Sequence, residues 1–144
     1  MIVFADSSAV VTRYAPGEAD VLPGDGVVAA SAIARVEVLS ALWRQGRDGI
    51  APMIEVAALV RAFEADWLGV PNEPRRYAPI RASHALLAHA AVITGTHRLR
   101  SLDAIQLASA LNARDADAEI HTMVVLDERL RIAAAIEGFD ILPA

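Results

Sequence analysis

Ile2-Val3-Phe4-Ala5-Asp6-Ser7-Ser8 is the stretch from which the fold is read. Its apolar run suits a short strand, the acid ends it, and the two hydroxyl residues offer N-caps to a helix running to about Ala15, ahead of Pro16. The unit then repeats. Val27 to Ala30 reads as a second strand, with Ser31 as the cap of a helix through Ile33, Val36, Leu39 and Trp43. Pro52 opens an amphipathic helix over Met53 to Leu68, where Val56, Leu59, Val60, Phe63 and Trp67 fall at helical spacing. Gly69 to Pro79 reads as irregular, with a short edge strand near Val70, and Pro79 to Ile93 as helix before a turn at Thr94-Gly95-Thr96-His97. A helix over Leu102 to Ala113, a strand over Thr122 to Leu126, a helix over Glu128 to Glu137 ended by Gly138, and a last strand at Ile141-Leu142 complete the chain. Alternating helices and short, wholly apolar strands imply an α/β fold: an α/β/α sandwich whose parallel sheet of four or five strands is covered on both faces.

The chain has 144 residues, 55% of them hydrophobic, and no linker or repeat, so residues 1–144 read as a single domain with a sizeable core. Absence of cysteine excludes disulfide frameworks, thiolate catalysis and zinc ribbons. All thirteen basic residues are arginine, which excludes chemistry that needs an ammonium group, from Walker-type phosphate binding to Schiff bases. No apolar run reaches the length of a membrane span, and the N-terminus lacks the basic region of a signal peptide, so a cytoplasmic location is expected. The net charge of -5 argues against a general nucleic-acid coat, unless several of the acids serve as metal ligands.

Four acids stand out once the fold is drawn. Ligand sites of open parallel sheets form outside the carboxyl ends of the strands. Asp6 and Asp127 each follow a strand, and they share one edge if those strands are parallel neighbours. Asp103 lies in the first turn of a helix, where the dipole favours an anion, and Glu37 lies one turn into the helix after the second strand. Taken singly, Asp6, Asp103 and Asp127 are also good helix caps. Glu37 lacks that explanation: Ile33, Glu37 and Ala41 share a face flanked by Val36 and Leu39, while Arg35, Arg44 and Arg47 read as lying elsewhere on the wheel. A carboxylate in an apolar stripe needs a partner. For four converging acids the economical partner is Mg²⁺ or Mn²⁺, which takes oxygen ligands and supports hydrolysis at phosphorus.

Phe4-Ala5-Asp6-Ser7-Ser8-Ala9, Ser31-Ala32-Ile33-Ala34-Arg35-Val36-Glu37, Leu99 to Leu111 with its core Leu102-Asp103-Ala104-Ile105-Gln106-Leu107-Ala108, and Val124-Val125-Leu126-Asp127-Glu128-Arg129-Leu130 together resemble the PIN-domain ribonucleases, most closely VapC-type toxins of bacterial toxin-antitoxin pairs. The resemblance spans the chain in the family's order. It implies sheet order 3-2-1-4-5, an Mg²⁺ or Mn²⁺ site formed by Asp6, Glu37, Asp103 and Asp127, and Ser8 as the hydroxyl residue beside the first acid. It further implies RNA as substrate, a small antitoxin protein as partner, and a homodimer. The chain departs from the pattern at Val125, where the family often carries Ser or Thr.

The remaining polar residues say less. His84, His89, His97 and His121 include no pair at ligand spacing and read as surface or packing residues. Arg98 and Arg100, on the turn before Asp103, are candidate phosphate contacts, whereas Arg75, Arg76 and Arg81 read as a solvated cluster. Two other functions remain open on the residues alone. A non-catalytic interaction domain would keep the acids only as caps. An aspartyl-phosphate phosphatase would want a second acid two residues after Asp6, where Ser8 stands.

Overall fold

The computed structural model describes residues 1–144. Five strands, β1 (Val3–Ala5), β2 (Val28–Ser31), β3 (Tyr77–Ile80), β4 (Thr122–Val124) and β5 (Asp140–Leu142), form one all-parallel sheet in the order β3-β2-β1-β4-β5. Because side chains alternate along a strand, each feeds two cores. Phe4 and its register partners Ala29 and Met123 pack under α4 (His84–Thr96), α5 (Ser101–Ala116) and α6 (Glu128–Ile136). Val3, Ala5, Val28, Ala30 and Val124 pack under α1 (Ser7–Val11), α2 (Ala34–Arg47) and α3 (Met53–Leu68). The two cores hold 19 and 18 buried residues, so both faces of the three central strands are covered, and exposure is confined to the edge strands β3 and β5. This is the expected α/β/α sandwich, with five strands and the sheet order implied by the family resemblance.

Several boundaries differ from the sequence reading. Asp6, rather than Ser7 or Ser8, caps α1, accepting the Ala9 N–H at 3.0 Å. Regular helix ends at Val11; tighter turns, with Arg13 and Tyr14 N–H donating to the carbonyls of Val10 and Val11, carry the chain to Ala15. Ser31 belongs to β2, and α2 begins at Ala34 without a side-chain cap. The edge strand is Tyr77–Ile80, not a segment near Val70, and the following helix starts at His84, capped by Ser83. Pro79 is tolerated because β3 is an edge strand, with ladder bonds needed on one side only. Helix α4 runs through Thr96, so the turn is confined to His97 and Arg98, the latter at φ 54°. Helix α6 closes as expected at Gly138, in a Schellman arrangement: Phe139 N–H donates to the Ala134 carbonyl and Gly138 N–H to that of Ala135.

One buried polar chain fastens α3 to the sheet edge. Tyr14, Phe63, Trp67 and Tyr77 form a packed aromatic cluster, and within it the Tyr14 hydroxyl donates to Asp66 Oδ2 at 2.7 Å and meets the Tyr77 hydroxyl at 2.9 Å. Tyr14 spends its proton on Asp66, so Tyr77 donates to Tyr14. Burial raises both phenols above their usual range, which keeps them protonated. Removing the Tyr14 hydroxyl therefore orphans the fully buried Tyr77 proton, whereas removing that of Tyr77 leaves Tyr14 satisfied. Tyr14→Phe is expected to cost about 1–3 kcal/mol and Tyr77→Phe about 1 kcal/mol or less. Urea unfolding measures both, and equal costs would refute this direction of donation.

Candidate active site

The carboxyl ends of β1 and β4 lie side by side, with Ala5 in register with Val124 and the Asp6 N–H donating to the Val124 carbonyl at 3.1 Å. Asp6 thus continues the central strand at its carboxyl end. It is buried, 4% exposed, and both oxygens are engaged: Oδ1 by the Ala9 N–H, Oδ2 by the Ser8 hydroxyl at 2.7 Å. Ser8 therefore serves the first acid directly. The Asp6 pKa is raised from 3.8 to about 6, chiefly by burial and further by the charges of Asp103 and Glu37, against the opposing pull of the two donated hydrogen bonds.

Asp103 occupies the third position of α5, whose N-cap residue Arg100 makes no side-chain cap bond. Its pKa is also raised, first by burial, then by the charges of Asp127 and Glu37, against an opposing pull from Arg100. Asp127 is exposed and caps α6, accepting the Leu130 N–H on Oδ2 at 3.0 Å. It is at once the cap that its sequence position allows and a charge felt at Asp103. The four sequence-predicted acids are therefore brought into one electrostatic neighbourhood, assembled from four elements of the fold.

Glu37 is half-buried and is partnered by Ser7, which the sequence suggests as a helix cap, and by Gln106, which it gives no separate role. Its Oε1 accepts the Ser7 hydroxyl at 2.7 Å and Gln106 Nε2 at 2.9 Å, while Gln106 Nε2 also donates to Ser7 Oγ at 2.7 Å. Oε2 carries no hydrogen bond. The apolar stripe expected around Glu37 is offset: Ala34, Val38 and Leu42 are the buried positions, and Val36 is 70% exposed. A signal for Gln106 was present, a lone amide inside an apolar run three residues after Asp103, on the same side of the helix.

Beside the acids opens a cleft of about 370 Å³. Ser7, Ser8, Val11 and Thr12 line it from α1, Glu37, Ala41 and Arg44 from α2, with Glu18 and Leu126 at its rim. Arg44 thus shares the Glu37 side of α2, contrary to its reading as lying elsewhere on the wheel. Seven residues at 100° each return to within about 20° of the starting direction. Arg98 and Arg100 part company: Arg100 sits by Asp103, whereas Arg98 lines a separate hollow with His97, Arg129 and Ile132. Val125 is wholly buried in the core, so no side chain at that position reaches the site. His97 Nε2 donates to Glu137 Oε1 at 2.7 Å in packing α6 against the α4–α5 turn, and His84, His89 and His121 lie on the surface, as expected.

An oxygen-only donor set, two carboxyls whose charged forms are disfavoured by burial and by nearby acids, and a free Glu37 Oε2 suit a hard divalent cation in chemistry and charge. No three acid or imidazole side chains close around a single point; the Asp6 oxygens face Ser8 and Ala9 instead. A cation held here would draw on Asp6, Asp103, Glu37 and Asp127. The chain matches no model of a known protein family, and it has no significant match among curated proteins.

The raised Asp6 pKa fixes a pH dependence. Between about pH 4 and pH 6 the native state binds more protons at Asp6 than the unfolded chain does, so stability falls as pH rises through that window. Above it the full cost, about 3 kcal/mol, is carried. Asp6→Asn keeps the cap acceptor for Ala9 N–H and discards the charge. In metal-free buffer the variant should exceed wild type in stability near pH 7 by up to about 3 kcal/mol and converge with it below about pH 4. Urea unfolding across this range decides; a pH-independent difference would refute the assignment.

Proposed function

We propose that the protein is a metal-dependent endoribonuclease acting at this edge, of the kind its resemblance to PIN-domain toxins implies. The observation that carries the reading is that Asp6, Glu37 and Asp103, from separate elements, lie near enough for the charges of Glu37 and Asp103 to act on Asp6 and that of Glu37 on Asp103, with Asp127 also acting on Asp103. Simple caps would not need Glu37, which caps nothing. The phosphatase reading has Ser8 in its second-acid position, and that hydroxyl is already spent on Asp6.

Bound Mg²⁺ or Mn²⁺ would supply charge neutralisation at phosphorus and a more acidic water. The chain's own residues do the rest. Asp6 and Asp103 furnish the inner carboxylates, Ser8 and the Ala9 N–H hold Asp6 in one orientation, and Ser7 with Gln106 grips one Glu37 oxygen so that the other faces the cleft. In this reading Arg100, whose charge acts on Asp103, would meet a substrate phosphate. A cytoplasmic setting, a homodimer and a small antitoxin partner belong to the same reading and rest on the resemblance; no helix is long and apolar enough to cross a membrane.

Asp6→Asn, Asp103→Asn and Glu37→Gln are each expected to lower Mg²⁺-dependent RNA cleavage by at least about a hundredfold while remaining folded. Each should also shrink the rise in melting temperature that Mg²⁺ gives the wild type, since metal stabilises only through ligands present in the native state. Undiminished cleavage and an unchanged metal shift in all three would end the reading. Replacing Arg98 and Arg100 together by Ala should flatten the log-log salt dependence of RNA binding, by about 0.7 for each phosphate no longer held. A wild-type slope in the double variant would return both arginines to the solvated surface.

A further inference from the structure

Among the side chains lining the cleft beside the acids, Arg44 is the only cation. It takes part in none of the protein's ion pairs, although Arg13, Arg35, Arg76 and Arg131 all do, and Glu18 across the cleft lies beyond ion-pair distance. Its place is set by the helix: seven residues beyond Glu37, it stands two turns, about 10 Å, further along the same side of α2. The cleft therefore runs from a carboxylate end, where Ser8 and Glu37 sit, to a guanidinium end. The remaining walls mix aliphatic side chains, from Val11, Ala41 and the half-exposed Leu126, with the polar Ser7, Thr12 and Glu18, and carry no aromatic ring. An anionic centre at one end and a fork of donors at the other suit a ligand with a phosphate at a fixed distance from the reacting group.

We propose that this cleft seats the nucleotide adjoining the bond to be cut, with Arg44 holding its phosphate. The assignment rests on the ribonuclease reading for its substrate class, but not for its cation or its cavity. Arg44 lies in the last turn of α2, where a positive charge also complements the helix dipole, and Arg47 shares that turn without lining the cleft. The pair thus separates ligand binding from dipole compensation, because either replacement by Ala removes the same charge from the same turn.

The probe is uridine monophosphate in magnesium buffer, a molecule with no internucleotide bond to cut. It is titrated into the 15.3 kDa protein while backbone amide resonances are followed by NMR. Saturable shifts are expected in α2 between Glu37 and Arg44, with affinity lowered about tenfold by Arg44→Ala and by Arg44→Gln and within about twofold of wild type for Arg47→Ala. Absence of saturable shifts in α2, or equal losses for the Arg44 and Arg47 variants, would overturn the proposal. Cleavage of single-stranded RNA, run in parallel, keeps the two readings apart. Arg44-dependent binding without any cleavage by wild type sinks the nuclease reading alone. Cleavage whose KM is untouched by Arg44→Ala, with no Arg44-dependent binding, sinks the cleft assignment alone.

Discussion

A carboxylate at the end of the central strand is the constraint on which this molecule turns. Strand β1 is flanked on both sides by other strands and covered on both faces by helices, so Asp6 emerges from it with almost no access to water. An ionised group there is held at a cost, offset only in part by the Ser8 hydroxyl and the Ala9 N–H. Two further acids, Asp103 and Glu37, are placed where they worsen that cost. Neutral residues at this edge would cost the fold less; under the proposed function, the gathered negative charge is what a bound cation would relieve.

The surroundings of Asp6 show how order is kept in such a cluster. Ser7, the residue after it, turns away to Glu37, and Gln106 closes the triangle from α5, so that hydrogen bonds link the segments after β1, β2 and the α4–α5 turn. The arrangement holds one oxygen of Glu37 and leaves the other unengaged. The Gln106 Oε1 atom, buried without a partner, is the unsatisfied remainder of this triangle. Its amide cannot be turned over, because Nε2 is the only donor that both Ser7 Oγ and Glu37 Oε1 can share.

Much of this was legible along the chain. The short apolar runs at Ile2 to Ala5 and Thr122 to Leu126, each ending near an acid, already implied parallel strands with carboxylates at one edge, and the register of Ala5 with Val124 bears that geometry out. The pattern was less informative where helix and strand signals are both weak. Tyr77-Ala78-Pro79-Ile80 carries a proline that speaks against a strand, and only its position at the sheet edge makes the segment extended.

What the sequence by itself determined was the alternation of elements, the two-sided burial of the sheet and the identity of the four acids, because periodicity and strand-end position are properties of neighbouring residues. What only the tertiary structure decided was pairing across distance: that Glu37 would be met by Ser7 and Gln106, 30 and 69 residues away, that Arg100 would sit by Asp103 while Arg98 lines a separate hollow, and that Arg44 would enter the cleft. Helical spacing assigns a residue to a side of its own helix. Which side meets which neighbour is set by how helices settle on a twisted sheet, a balance of packing that involves the whole chain at once.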